Sequence, residues 1–591
     1  MSPSSPGLFV APPDPTLASP PSFQVEARGA LASHARSSSV QCWFDGLLTT
    51  GRRAGQSDAH AVLMAYRANG VDALTELEGF YNLCLVDGAT GKTYLLSDPL
   101  CSRPLYLYRS SRQVAAAATP VAFSDWGLPM HLSRVGLYGS FRFLHSSGEQ
   151  TLVQEVERLQ PGCLYELDPD GDVNARRVHS LDHDTDPSIT LDEATQWMKE
   201  AFGSVIEGVM THPLVRNRPV HLPLTAGLDS RHILGELLDQ GYSPDQIRHI
   251  HITEKDAHPV RQIAAGLDLP LRYVRLRALD LPTLTHRWMA RSGGLVNVHQ
   301  AYLLHLAQHS ESRAPVGFNG YLMDWFLGIA PRPHPSTDDP VEPLWNRTYT
   351  RPNTLKALFD DEAGLQQTMH RVLRRIVASA RGPTWYKMLM GDMHQRGLHY
   401  TGAIDPMLGD DALFVSPGAH RMALRFVRTV PREVAGDRRA RLEALRRYFP
   451  QLATYPGSYG VPYMEQNALH TKRPGRWKAV QPVLKAIATG FRYDPAPESE
   501  HAWLRQIPGY RAMHRRAVFD ASLVRDGHLR GWAVHGVWYL LQAGGFQAWT
   551  LMSLLSAETA YRLLVKQEPL EDVNDWLWND MDTTETSYNT L

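Results

Sequence analysis

From residue 191 onward the apolar pattern switches repeatedly between helical and extended periods, and this alternation restricts the fold more than any other feature. Leu191 to Met210 carries Ala194, Trp197, Met198, Ala201, Phe202 and Val205 at helical spacing. Val220 to Leu224 is short and extended, and it runs into the small-residue turn Thr225-Ala226-Gly227. A helical pattern with Ile233, Leu234 and Leu237 on one face follows at once. Gln246 to Thr253 reads as a second strand, Pro259 to Leu267 as a helix and Leu271 to Val274 as a third strand. Strands separated by helices in this way pair in parallel, with helices on both faces of the sheet. Ligands of such sheets sit beyond the C-terminal strand ends, where Thr225 and Thr253 both fall. The helix that starts at Asp229 and Ser230 aims free N–H groups back at the turn, which makes an anion site. Gly227 lets the backbone approach such an anion closely. No Gly-Lys-Ser/Thr occurs there, so the turn is not a Walker loop.

The front of the chain reads differently. Residues 1 to about 36 are rich in Pro, Ser and Ala, and predict one edge strand near Leu8 to Ala11 and otherwise loop. Val40 to Phe44 alternates, Asp58 to Ala68 is helical, and Phe80 to Val86 pairs through a turn with Thr93 to Leu96. Glu155 to Leu159 and Cys163 to Leu167 complete an antiparallel, β-rich domain. Asp182-His-Asp-Thr-Asp-Pro187 is polar and marks a boundary, so the expected domains are 1–185, 186–567 and an acidic tail, 568–591. Residues 475 to 565 read as helices.

A chain of 591 residues holds two or three cores, and a net charge of −1 gives no global attraction to nucleic acid or anionic membrane. The start has neither a basic flank nor a long apolar run, and no uninterrupted 18-residue apolar stretch occurs. We expect a soluble cytoplasmic protein with no nucleic-acid or membrane partner. The four cysteines, Cys42, Cys84, Cys101 and Cys163, form no C-x-x-C pair, and His394 and His399 are five apart. Structural zinc is not expected, and buried free thiols are.

Thr225-Ala-Gly-Leu-Asp-Ser230 resembles the pyrophosphate loop, Ser-Gly-Gly-Leu-Asp-Ser, of the ATP pyrophosphatase enzymes, which include the asparagine synthetases. Thr and Ala keep the small size, and Thr keeps the hydroxyl. Gln56-Ser-Asp58, Leu77-Glu-Gly-Phe80, Asp98…Arg103-Pro-Leu-Tyr106 and Leu159-Gln-Pro-Gly162 resemble, in order, the glutaminase domain of asparagine synthetase. The resemblance implies an α+β glutaminase-like β-sandwich of the N-terminal-nucleophile type. An α/β ATP pyrophosphatase domain (adenine nucleotide α-hydrolase-like) with a helical C-terminal part would follow it. Glutaminases of this kind use an N-terminal Cys. Here position 2 is Ser2, and no Cys precedes Cys42, inside a strand pattern. A hydroxyl without an assembled base is a far weaker nucleophile than a thiolate. The expected domain is therefore a scaffold without glutamine hydrolysis, and the amine comes from a substrate.

The resemblance also implies site residues. Leu224, Thr225, Ala226, Gly227, Leu228, Asp229, Ser230 and Arg231 would hold ATP, with Ile252 and Thr253 at the adenine. Pro315 to Gly328 is similar to the family's Gly-Glu-Gly-Ser-Asp-Glu segment. It places Asn319 and Gly320 at the nucleotide and Asp324 with Asp229 on Mg²⁺, a hard cation suited to carboxylate and phosphate oxygens. Tyr321 and Asp324, three apart, are expected on one side of a helix start. Tyr321 stands where asparagine synthetases carry Glu. The β-lactam synthetases of the same superfamily use a Tyr as a base with an acidic partner. The resemblance makes Tyr321 the candidate base here, with Asp405, Asp410 or Asp411 as its partner. Val415-Ser-Pro-Gly-Ala-His420 departs from the family's Arg-x-Pro-Phe-Leu-Asp by lacking the final Asp. The family's Lys after a segment like Arg441 to Tyr455 is missing too. Lys472 is the nearest cation with Arg473, and Arg231 is the alternative. Gln395, Arg396, His399 and Tyr400 lie on a helix that could line the pocket.

These parts imply an ATP-dependent, AMP-forming amide ligase that adenylates a carboxylate and joins it to an amine. Macrolactam closure of a lasso-type peptide is favoured, because Pro331 to Thr384 reads as an insertion able to enclose something large. A precursor peptide, a leader-binding protein and a leader protease are the implied partners. A β-lactam synthetase-like cyclase and a non-catalytic nucleotide-binding relative are the alternatives.

Overall fold

A computed structural model describes residues 7–11, 23–29, 31–168, 172–244, 247–251, 257–273, 280–305, 316–326, 338–408, 413–457, 461–466, 500–543, 545 and 547–578. The first half is built on two antiparallel sheets. One runs β2 (Gln24–Arg28), β1 (Gly7–Ala11), β8 (Val114–Ala117), β7 (Tyr106–Arg109), β9 (Val156–Arg158). The other runs β11 (Val173–Arg177), β10 (Cys163–Leu167), β6 (Lys92–Ser97), β5 (Gly79–Asp87), β4 (Val40–Leu48), β3 (Ala32–Arg36). Leu8, Val10, Leu47, Phe80, Cys84, Leu95, Leu107 and Ala116 fill the space between them, as inward-facing residues of alternating strands do. The helix Asp58–Asn69 covers the outer face of the second sheet through Ala59, Val62 and Leu63.

Two expectations for this half need correction. β1 is interior, paired on both sides with β2 and β8. Its partner β2 lies in the stretch expected to be loop, as does β3. The strand Gln24-Val-Glu-Ala-Arg28 alternates over only five residues, too few for the period to stand out.

The second half carries a five-stranded sheet in the order β14 (Leu271–Tyr273), β13 (Ile247–His251), β12 (Val220–Pro223), β15 (Val316–Phe318), β16 (Leu413–Val415). Every pairing in it is parallel. The chain winds outward from β12 in one direction, then returns to its other side with β15. The order therefore reverses between β12 and β15, and a crevice opens beyond the C-terminal ends of those two strands. The helix Leu191–Met210 begins with a capping box, Thr190 and Glu193, and packs its apolar face into the core that the sheet shares with the sandwich.

Polar pins join the halves. His212 Nε2 lies 3.0 Å from Asp58 Oδ2, and Thr49 Oγ1 lies 3.0 Å from His420 Nε2. Buried Arg158 donates to Leu398 O at 2.6 Å and Cys101 O at 3.1 Å. The stretch read as an insertion forms the helices Glu342–Asn346, Pro352–Leu358 and Glu362–Ala378. These pack against the helix Arg134–Phe143 beside the first sheet, with Tyr138 donating to Glu362 at 2.9 Å. The start of the expected tail is the helix Leu570–Trp578, held by buried Val573 and Leu577. Its acidic residues conceal that i,i+4 pair in a reading by composition. Met393–Thr401 is a π-helix. Five-residue spacing shares a face there, so His394 and His399 are both buried at the seam. Among the described residues no helix is long and apolar enough to cross a membrane.

Candidate functional site

The first loop of the crevice follows β12. Leu224 and Ala226 are buried, and Gly227 caps the helix Leu228–Asp239 in an extended conformation with no side-chain cap. Hydroxyls tie the loop to the first helical turn. Thr225 N–H donates to Ser230 Oγ at 3.1 Å, Ser230 Oγ donates to Thr225 O at 3.3 Å, and Gly227 N–H donates to Thr225 Oγ1 at 3.1 Å. Uncapped first-turn N–H groups of a twelve-residue helix thus face the loop with their dipole. Tyr463 braces the loop, its hydroxyl donating to Ala226 O at 3.2 Å.

The second loop follows β15. Asn319 N–H donates to Val415 O at 3.0 Å, and Asn319 Oδ1 accepts from Tyr321 N–H at 2.9 Å. Leu322 takes a left-handed φ of 64° before the short helix Met323–Phe326. Gly320 explains how the loops meet, since a Cβ there would collide with Asp229 Cβ. Asp229 and Asp324, far apart in sequence, therefore converge.

Between them lies a residue that sequence reasoning did not name as part of the site. Arg441, on the helix Arg439–Tyr448, is fully buried. Its Nη2 bonds to Asp229 Oδ1, and its Nη1 donates to Asp324 Oδ1 at 3.0 Å. Arg438 Nη2 stands 3.7 Å from Asp324 Oδ2. Burial pushes the Asp229 carboxyl above its ordinary value, against the pull of Arg441, and the Asp324 charge adds to the rise. The two carboxylates hold the Arg441 guanidinium above its ordinary value despite its burial.

Several expected site residues stand elsewhere. Arg231 is buried and turned away from the acids. It donates to Leu452 O at 3.1 Å and Tyr455 O at 2.7 Å, bonds to Pro456 O, and stacks 4.8 Å over Tyr463. Asp229 and Arg231 are two apart on a helix, and such residues do not share a face. Arg231 thus pins the segment carrying Tyr463 and is not the spare cation. Tyr321 precedes the helix start, so the three-residue spacing to Asp324 does not put them on one helical face. Its ring packs against the large core of the first sheet and the C-terminal helices. His420 faces Thr49 across the seam. His399 Nε2 lies 2.5 Å from Gly148 O, and Tyr400 OH lies 2.8 Å from His299 Nδ1. Arg396 lies 5.7 Å over Trp325, next to Asp324. Asp405 lies on the helix Ile404–Leu408, but its side chain is outside the described residues, as are Ile252, Thr253, Asp410, Asp411, Lys472, Arg473 and Ser2.

All four cysteines are buried and free, and burial pushes each thiol up. None is an activated nucleophile. Among the described residues no group of three or more His, Cys, Asp or Glu could hold a metal ion. The crevice offers instead two converging carboxylates. Such a pair could contribute to a magnesium site only with further oxygen ligands, such as phosphate, and both its acids are bound by Arg441 in this structure.

Residues 47–177 match the family described as glutamine amidotransferase domain. The chain is 25% identical over 180 residues to asparagine synthetase [glutamine-hydrolyzing] 1 of Bacillus subtilis (strain 168). That stretch covers 30% of this chain and 27% of the relative, about a quarter of its length. Two solved structures share 11% and 12% identity with this chain. One is a glutamine phosphoribosylpyrophosphate amidotransferase from B. subtilis complexed with ADP and GMP (43% of this chain, 76% of that chain, TM-score 0.21). The other is the allosteric regulatory enzyme of purine biosynthesis (41%, 62%, TM-score 0.19). The similarity is thus to a glutamine amidotransferase domain over residues 47–177 and, at 25% identity, to part of an asparagine synthetase.

Proposed function

We propose that this chain is an ATP-dependent, AMP-forming amide ligase working at the crevice between β12 and β15. The observation that carries the reading is the convergence of Asp229 and Asp324 beside an uncapped helix start, at the point where a parallel sheet reverses its order. The triphosphate would lie against Thr225–Ser230, its charge met by the first-turn N–H groups. Asp229 and Asp324 would hold Mg²⁺, which neutralises phosphate charge. A substrate carboxylate oxygen attacks the α-phosphorus, the bond to the β-phosphate oxygen breaks, and pyrophosphate leaves. The substrate's amine nitrogen then forms the amide by expelling AMP and losing a proton to a base, for which Tyr321 is the candidate. Positioning and preorganised charge supply most of the rate.

The amine is assigned to a substrate because the four cysteines are buried thiols. A peptide bearing both an amine and a side-chain carboxylate, closed to a macrolactam, is the substrate class we favour. The extra helices from Glu342 to Ala378 support this less than their length suggests, because they pack on the sandwich side. A small-molecule cyclase stands second. One observation favours a nucleotide-binding protein without turnover: a guanidinium already neutralises the two acids.

Pyrophosphate release from ATP, scanned over candidate peptides and small amino acids, tests the reading. Release that requires one substrate, with product mass lower by one water, supports ligation. ATP binding without release with any substrate would leave the binding-only reading. Tyr321→Phe should spare pyrophosphate release and slow amide formation; a block at the first step removes Tyr321 as the base.

A further inference from the structure

Arg441 is an unusual charged group among the described residues. Its side chain is fully buried, yet one fork is divided between two acids from different loops. The acids themselves are not sealed in: the Asp229 side chain is 27% exposed and that of Asp324 41%. Among the described residues the guanidinium Nε is buried with no hydrogen-bond partner. So the arginine is only partly satisfied, and its two partners open toward the crevice.

A magnesium ion held by both acids must draw on the carboxylates that this fork occupies. Guanidinium and metal are alternative counter-ions for one carboxylate pair. We infer that Arg441 is the resident counter-ion, displaced from Asp229 and Asp324 only when a metal–polyphosphate complex arrives. This deepens the nucleotide reading above and rests on it. Metal alone is a poor exchange, because it would leave a buried guanidinium without an anion. Metal with a polyphosphate is a balanced one. The acids pass to the metal, and the guanidinium passes to phosphate oxygens, which suit its planar fork. Arg441 thereby supplies a cation at the phosphates, where the sequence has no lysine just after the segment Arg441 to Tyr455. It also makes metal binding conditional on nucleotide.

The test titrates Mn²⁺, read as free ion by electron paramagnetic resonance, with and without α,β-methylene-ATP. Without nucleotide, Arg441→Gln should bind Mn²⁺ about tenfold more tightly than the wild type, the scale of one charge-assisted hydrogen bond. With the analogue the order should reverse by a similar factor. Equal Mn²⁺ affinities without nucleotide would overturn the inference. Should Arg441→Gln fail to fold by circular dichroism, Arg441→Lys replaces it. That variant keeps the charge and loses the fork, so nucleotide-free Mn²⁺ should again bind more tightly, and parity again overturns the proposal. If the wild type does not bind the analogue at all, the nucleotide reading falls, while the nucleotide-free titration still decides whether the arginine excludes the ion.

Discussion

Each half of the molecule contains an arginine neutralised by carboxylate, and the two arrangements are built differently. In the sandwich, Arg103 holds one acid, Asp45 on β4. Its Nε donates to Oδ2 at 3.1 Å and its Nη2 to Oδ1 and Oδ2 at 2.9 Å. Asp45 is 2% exposed, so the pair is closed and fully committed. In the crevice, Arg441 divides one fork between two acids that both reach solvent. The closed pair fastens the chain between β6 and β7 to the sheet. The divided one leaves each carboxylate with lone pairs to spare. The same residue types thus make a structural clasp in one place and an exchangeable site in the other.

The largest expected effect separates these roles. Asp229→Asn or Asp324→Asn should lower pyrophosphate release about a hundredfold or more, because each removes a charge that the proposed function assigns to the metal. Asp45→Asn should instead unfold at lower denaturant, losing about 3 kcal/mol through the loss of a charge partner for the largely covered Arg103. Pyrophosphate release that tracks Asp45 and ignores the crevice acids would invert the comparison.

The next test compares the arginines in urea. Arg103→Met should cost about 3–5 kcal/mol, since it strands a buried carboxylate. Arg441→Met should cost about half of that or less, because water reaches Asp229 and Asp324 and screens what remains. Equal losses would mean that the crevice pair is as structural as the sandwich pair.

Much of this was visible in the chain alone. The parallel half announces itself because buried strands between amphipathic helices give long, regular apolar signals. The helix Leu191–Met210 has the expected ends, and the turn at Thr225 sits at the sheet's reversal. β2 and β3 were hidden because short, half-exposed strands carry little periodicity. Arg441 was not legible as a partner of the acids. They lie 212 and 117 residues before it, and its own helix, Arg439-Ala-Arg-Leu-Glu-Ala-Leu-Arg-Arg-Tyr448, is so rich in arginine that no one member stands out. Arg231 misled for the opposite reason: nearness in sequence to Asp229 says nothing of direction on a helix.

The buried histidines offer a milder perturbation. Burial holds His145, His179 and His514 down to about 4, and His394 and His420 down to about 3. A histidine kept neutral in the fold takes its proton only on unfolding. The stability it contributes is complete above its ordinary value of 6.5 and is lost as pH falls through that value toward 4 or 3. Unfolding free energy should therefore be flat above about pH 7 and drop below it. His420→Gln should flatten the drop by about 1.4 kcal/mol per pH unit. An unchanged slope would mean that His420 is already protonated against Thr49.

The smallest expected effect concerns the brace behind the first loop. Tyr463 gives one hydrogen bond to Ala226 O and carries Arg231 over its ring. Tyr463→Phe keeps the ring and removes the hydroxyl, so the cost should be about 1 kcal/mol. If the loop binds phosphate, that loss should appear as roughly five-fold weaker binding of α,β-methylene-ATP, with little change in thermal stability. In the sandwich, Tyr108→Phe is the matching control, since it removes a 2.9 Å bond to Pro129 O far from the crevice. A difference in nucleotide affinity between the two variants assigns Tyr463 to the site. Equal affinities would make Tyr463 a packing residue and leave the loop to be held by Thr225 and Ser230 alone.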